Sequence, residues 1–260
     1  MILTADYHTH TIYSHGKGTV MDNALQAKKI GLKEIGITDH GFGQIMFGLR
    51  HKKMPQLIAD CREATEKTGV KVLVGIEADL MGEGGETDLK ESDYPDFDLF
   101  LMGIHIFIRY SSLRDIFRFM LPNLIDAKLK LKPSASTVRT TTNAYINAIE
   151  KNPIDVITHL NFLNFSDPVE VAKAARDNGT YIELNSKKTH LTDEELAAVR
   201  DTGVRFVVNS DAHSVDRIGD TVRVETQLSR VEIPASQIDN IDGKLPSFRF
   251  AAYKKEHGLS

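Results

Sequence analysis

Imidazoles and carboxylates recur in this chain at the points where short apolar runs stop. The densest cases are Asp6-Tyr7-His8-Thr9-His10, Thr38-Asp39-His40 and Ser210-Asp211-Ala212-His213. His105 and His159 each close an apolar run, Glu77 follows the run 71–76, and His15 stands alone in a polar stretch. These are the side chains that hold first-row divalent cations. A fold that uses them together must bring many distant run ends to one place, and few folds do so.

Short apolar segments at 2–7, 34–38, 71–78, 98–104, 155–158, 180–184 and 204–209 read as strands. Between them, 19–30, 55–67, 140–150, 168–178 and 192–201 carry helical periodicity. Gly31, Gly69, Gly179 and Gly203 stand where helices need a left-handed stop, and Thr192 with Glu195 has the capping-box spacing. Strands alternating with helices predict a mainly parallel sheet. The ligand types decide between open and closed forms. An open sheet would string seven strand ends along a line, whereas a barrel gathers them on its C-terminal face. The expected fold is therefore α/β, a distorted seven-stranded (β/α)7 relative of the TIM barrel, with the site at the C-terminal strand ends. Residues 1–260 form one domain on this reading, with a basic insertion at about 106–142.

That insertion holds seven basic residues, Arg109, Arg114, Arg118, Lys128, Lys130, Lys132 and Arg139, against Asp115 and Asp126, a net of +5. It is a candidate for steering an anionic substrate, with a solvated helix face as the plainer reading. Its apolar stretch 116–131 reads as a helix broken near Pro122. The loop 81–95, rich in glycine and acids, is placed near the site because it follows Glu77. The whole chain has a net charge of −4, which argues against a nucleic-acid coat or an anionic membrane as partner. Cys61 is the single cysteine, so no internal disulfide forms. The start reads as a first strand rather than a secretory leader, no apolar run has membrane-spanning length, and the expected location is the cytoplasm.

His8 and His10 are two residues apart, so in extended backbone both point to one face. Asp211 and His213 repeat the spacing at the other end of the chain. A site with two or more cations close together needs a bridging anion between them, and Glu77 is the candidate. The ordered series Asp6-Tyr7-His8-Thr9-His10-Thr11, Gly36-Ile37-Thr38-Asp39-His40-Gly41, Gly75-Ile76-Glu77, Gly103-Ile104-His105, Ile157-Thr158-His159 and Asn209-Ser210-Asp211-Ala212-His213 resembles the motif set of the PHP (polymerase and histidinol phosphatase) superfamily. The likeness runs over about 5–220 and is strongest to the compact stand-alone phosphoesterases.

Residue by residue, the resemblance implies three divalent ions (Zn, Mn or Fe). One would be held by His8, His10, Glu77 and Asp211, a second by Glu77, His105 and His159, a third by His15, His40 and His213. It implies hydrolysis of a small phosphorylated substrate by a metal-bridging hydroxide, with Glu77 and Asp211 at the centre. No enzyme nucleophile is required, and nothing matches a catalytic serine elbow or a phosphate-binding glycine loop. Asp39 is expected to orient His40 or a neighbouring ligand, and Arg217 to hold a substrate phosphate or a helix end. Asn185 ends strand six and faces the site or closes a turn. His190 lies close enough to reach the site, while His51 and His257 match no motif. Nucleotides stay within the substrate class, although a nucleic-acid partner is not expected. Two alternatives stand beside this reading: a histidinol-phosphate phosphatase of histidine biosynthesis, and a regulatory metal-binding module without turnover.

Overall fold

The structure is a computed structural model that describes residues 1–259. Seven parallel strands run in the order β1-β2-β3-β4-β5-β6-β7. They are β1 Ala5–Thr9, β2 Glu34–His40, β3 Lys71–Asp79, β4 Leu99–Gly103, β5 Val156–Ile157, β6 Tyr181–Asn185 and β7 Phe206–Asn209. The last and first strands meet through a parallel bridge between Thr9 and Ala212, and Asn209 Oδ1 accepts the Tyr7 amide at 3.0 Å. The sheet is a nearly closed, distorted barrel, as the alternation of segments predicts.

The helices between strands are α1 Val20–Lys29, α2 Met54–Thr68, α3 Leu113–Asp115, α4 Leu121–Leu129, α5 Ala135–Lys151, α6 Pro168–Asn178 and α7 Asp193–Asp201. After β7 come α8 Val222–Leu228 and α9 Arg249–His257. Helix α6 shows why the strongest sequence signals hold. Asp167 caps the amides of Val169 and Glu170, Pro168 opens the first turn, and Gly179 ends the helix at φ 69°. None of the helices among the described residues is long and apolar enough to cross a membrane.

Several boundaries differ from the sequence reading, each for a local reason. Strand β1 starts at Ala5 rather than residue 2, because Leu3 instead pairs antiparallel with Ile241. It runs on to Thr9 through a bulge: Asp6 faces Ile35 while Thr9 faces Ile37. The extra residue lets Tyr7 join the apolar barrel floor while His8, next in sequence, also faces the interior. Strand β5 is only two residues long, since the backbone turns at His159 into the left-handed region at φ 30°. Helix α5 starts at Ala135, so the last residues of the segment 106–142 belong to that helix, and Arg139 is spent on an ion pair with Glu170. The rest of that segment runs as α3, a π-helical turn Ile116–Met120 and α4. The widened turn lies directly before Pro122, whose missing N–H and ring make regular helix costly there. Asn123 ties the insertion down, donating to Phe119 O and Thr141 Oγ1 and accepting from the Phe165 amide at 2.9 Å.

Inward side chains follow period two and change character up the barrel. At the bottom Ala5, Tyr7, Leu73, Leu99, Leu101, Val156, Tyr181 and Val207 pack together, with Phe248 set edge-on against Tyr7 at 4.9 Å. Further along at the same period the inward residues are Glu77 on β3, four positions past Leu73, and Gly103 on β4, Glu183 on β6 and Asn209 on β7, each two positions past the floor residue of its strand. The polar site thus sits on a dry apolar floor.

Helix α9 was not readable as a helix from apolar periodicity, since Phe250 and Lys254 are its buried residues. Phe250 is fully buried, 5.0 Å from Tyr94 and 5.7 Å from Phe100, and its amide donates to Asp155 Oδ1 at 2.8 Å. Burial pushes the Asp155 carboxyl up to about 7, against the pull of those backbone donors. Phe250→Ala is expected to destabilise the protein by about 3–5 kcal/mol, read as a thermal midpoint lower by about 6–20 °C. An unchanged midpoint would show that α9 contributes nothing to holding the barrel.

Candidate active site

Glu77 faces the barrel interior near the end of β3 with no exposure to solvent. Five imidazoles converge on its carboxylate. Oε1 lies 2.7 Å from His159 Nε2, 3.3 Å from His8 Nε2 and 3.6 Å from His105 Nε2, and it accepts the Thr158 hydroxyl at 3.0 Å. Oε2 lies 2.9 Å from His40 Nδ1, outside hydrogen-bond geometry, and 3.7 Å from His10 Nε2. Asp211 closes the cluster from the segment just after β7, 3.5 Å from His10 Nε2, 3.2 Å from His213 Nδ1 and 3.8 Å from His8 Nε2. Its backbone is left-handed at φ 50°, as is that of His159. Such positions cost about 1–3 kcal/mol and cluster at functional sites.

The packing tolerates no extra atoms beneath these groups. A Cβ on Gly103 would stand 2.5 Å from Thr158 Oγ1 and 2.7 Å from His159 Cε1. Glycine is required there so that Thr158 and His159, just past β5, can reach across β4 to Glu77.

Donor atoms of His10, His40 and His213 lie within 4.8 Å of one another. The same holds for His8, His159 and Asp211, for His8, His10 and Glu77, and for His40, Glu77 and His105. These four groups overlap, so the donors form one connected cluster. Their hydrogen bonding is incomplete: His10 Nδ1, both ring nitrogens of His40, His159 Nδ1 and Glu77 Oε2 are buried without a partner. His8 Nε2 and His10 Nε2 face each other at 3.2 Å, where only one proton fits. Buried polar groups normally find partners. Lone pairs turned together in a dry pocket fit a set of divalent cations. His15 stands at the edge of this cluster, its ring 4.9 Å from His40 and 4.3 Å from His213.

Protonation follows the same pattern. Burial opposes ionisation of Glu77, yet the fields of His8, His105, His159 and His40 hold its carboxyl well below the usual range. Asp211 is likewise held down against burial, chiefly by His8. Burial drives His40 down to about 3 and His15 to about 4, and pulls His10 well below its ordinary value. These rings are neutral at physiological pH, which is the form that ligates metals. Burial also disfavours charge on His8 and His105, but Glu77 and nearby acids outweigh it, holding His8 well above the ordinary value and His105 at about 9.

Three buried acids that sequence reasoning missed complete the arrangement. Glu183, inward on β6, accepts from His8 Nδ1 at 2.7 Å, the His159 amide at 2.8 Å, Asn185 Nδ2 at 2.8 Å and Asn209 Nδ2 at 3.0 Å. Asp79 accepts from His105 Nδ1 at 2.7 Å. Asp88, from the loop after β3, accepts the amides of Asp79 and Gly43. The signal for Glu183 was available: it lies two residues before Asn185 and so shares its face. Asp39 does not orient His40. It accepts from the Thr11 amide and hydroxyl and from the Ser14 hydroxyl at 2.5 Å, which fixes the turn leading to His15. Burial pushes its carboxyl up to about 6. Arg217 pairs with Asp220 at 2.5 Å and does not line the cavity. The cations that do line it are Lys187 and Lys188, just past β6. Lys187 Nζ lies 3.1 Å from both Asp211 Oδ1 and His213 Nδ1. Asn185 Oδ1 shapes their turn by accepting the amides of both lysines. None of the seven basic residues of the insertion lines the cavity among the described residues, so the insertion's contribution to it is Ile106 and Phe107.

The cavity above the cluster holds about 330 Å³. Beyond the residues already placed, Gln44, Phe47, Phe162, Leu163 and His190 line its walls.

Known proteins share both the sequence and the frame. A probable phosphatase of Thermoanaerobacter sp. strain X514 is 32% identical over 232 residues, covering 82% of this chain and 80% of the relative. A probable phosphatase of Caldanaerobacter subterraneus subsp. tengcongensis is 29% identical over 254 residues, with coverage of 88% and 85%. The fold resembles that of a histidinol phosphate phosphatase from Lactococcus lactis, solved with zinc, L-histidinol and phosphate. The TM-score is 0.60 at 15% identity, over 95% of this chain and all of that one. The family model described as the PHP domain matches residues 6–187, and this chain belongs to that family.

Proposed function

We propose that this protein is a metal-dependent hydrolase of phosphate monoesters working with three divalent cations. The observation that carries the reading is Glu77: a fully buried carboxylate with ring nitrogens of five histidines between 2.7 and 3.7 Å away. The relatives named as probable phosphatases support the chemistry. His8, His10, Glu77 and Asp211 would hold one ion, Glu77, His105 and His159 a second, and His15, His40 and His213 the third. When bound, such ions supply Lewis-acid charge and make water acidic enough to attack at neutral pH.

The remaining work falls to the chain. Glu183 keeps a proton on His8 Nδ1, so Nε2 turns its lone pair to the cluster. Asp79 does the same for His105. Lys187, anchored beside Asp211, places a cation where phosphoryl oxygens arrive and offsets their charge. Phe47, Phe107 and Phe162 keep bulk water from the floor, which strengthens every charge interaction there.

Dialysis against a chelator is expected to remove turnover of an aryl phosphate, with recovery on adding back manganese or zinc. Site ligands at a hundredfold excess over Kd stabilise by about 2.7 kcal/mol per site. The protein should then melt about 5–11 °C lower for each site emptied. Undiminished turnover in protein shown to be metal-free by elemental analysis would overturn the proposal. Metal uptake without turnover of any phosphate ester would favour a regulatory metal-binding module instead.

A further inference from the structure

Resting on the hydrolase reading above, we propose that the site's own substrate is a phosphate monoester with a flat aromatic body and no positive charge, held between Phe47 and Phe162. The cavity is two-sided in chemistry. Its floor is the histidine and carboxylate cluster, whereas its walls are mainly ring and aliphatic surface, with Gln44 as an uncharged polar member. Phe47, on the loop after β2, lies 4.4 Å from the His15 ring and 5.4 Å from His40. Phe162, on the loop after β5, lies 5.1 Å from His159 and 5.0 Å from His190. Strands two and five stand three apart in a seven-strand ring, so the phenyl groups approach the cluster from well-separated arcs. Each is backed on one side by imidazoles and partly exposed on the other. Phe107 at the mouth is 59% exposed beside a densely polar centre. Exposed aromatic surface at a concave polar site marks a ligand face. A planar ring meets such walls in the offset or edge-on contacts that aromatic pairs favour.

Charge narrows the class further. Among the described residues lining the cavity, the carboxylates are Glu77 and Asp211, and both belong to the floor. The exposed side of the rim carries Lys187 and Lys188 instead. An ammonium on the organic part of a substrate would meet two cations and no free acid, which disfavours it. An amino alcohol phosphate such as histidinol phosphate therefore fits this rim poorly, whereas an uncharged or carboxylated aromatic ester fits it.

Leaving-group reactivity is kept out of the test by using phosphonates, which bind without being cleaved. The metal-loaded full chain would be titrated with benzylphosphonate, methylphosphonate and 2-aminoethylphosphonate. Inhibition of aryl phosphate turnover and calorimetric binding would be read in parallel. Benzylphosphonate is expected to bind at least about tenfold tighter than methylphosphonate, equal to about 1.4 kcal/mol. 2-Aminoethylphosphonate should bind weakest. Phe162→Leu, which keeps apolar bulk and is checked for folding by its melting temperature, should shrink the benzyl advantage at least threefold. Lys188→Glu should selectively improve 2-aminoethylphosphonate. Equal affinity for the benzyl and methyl compounds, or tightest binding of the amino compound, overturns the slot while turnover leaves the hydrolase reading standing. The expected order in calorimetry without turnover of any monoester overturns the hydrolase reading and leaves the slot.

Discussion

Glu77→Gln is expected to lower kcat/KM for aryl phosphate monoesters by about 10³-fold or more, equal to about 4 kcal/mol of transition-state stabilisation. The substitution keeps the shape of the side chain and its place on β3. It replaces one oxygen by an amide that carries two N–H donors. Both oxygens of the native carboxylate face ring nitrogens, with His8, His105 and His159 about Oε1 and His10 and His40 about Oε2. An amide cannot serve both groups as an anion, so cations brought together there would repel without a bridge. Elemental analysis should find fewer bound ions per chain. The melting temperature of the stripped variant should match that of the stripped parent, because the removed charge was itself costly to bury. A folded Glu77→Gln protein with full turnover would remove the foundation of the proposed mechanism.

Glu183→Gln should act on the same chemistry at one remove. Its carboxylate accepts four donors, from His8 Nδ1, the His159 amide, Asn185 and Asn209. A glutamine amide would point N–H groups at some of these donors, and His8 would no longer be held with its proton on Nδ1. Loss of a carboxylate behind a metal-binding histidine typically costs about 10–100-fold in metal affinity or activity. The two variants differ in how they respond to added metal. Excess manganese or zinc should restore much of the turnover of Glu183→Gln and none of that of Glu77→Gln. If metal titration leaves the Glu183 variant as impaired as before, its role is not to orient His8.

The candidate site was largely legible because its residues lie at the ends of apolar runs, and run ends are what a barrel gathers. His8, His10, His40, Glu77, His105, His159, Asp211 and His213 all meet in one cluster. Glu183 was missed because it lies inside β6, where an acid reads as an interruption of the apolar pattern rather than as a partner, and Asp79 because it falls one residue past the segment read as strand three. For Arg217, adjacency to His213 in sequence left the direction of the side chain open, and Asp220 three residues on captures its guanidinium. Lys187 was overlooked for the converse reason: a lysine pair after a strand reads as ordinary solvated loop until Asn185 is seen to shape the turn beneath it. The bulge in β1 left no trace in the apolar pattern, since an inserted residue looks like a longer run. Boundaries slipped where a backbone turn rather than periodicity ended an element, as after β5 at His159.

The barrel is closed by residues about two hundred positions apart, Thr9 against Ala212 and Tyr7 against Asn209. During synthesis β1 therefore leaves the ribosome long before its last neighbour exists. Until the Asp211 segment emerges, the early strands expose an unpaired edge and half a metal cluster. Seams between distant segments form slowly, because chain closure must precede the contacts that reward it. Ion capture then belongs to the final moments of maturation, and a chain arrested before residue 211 has every early histidine without the geometry to use them.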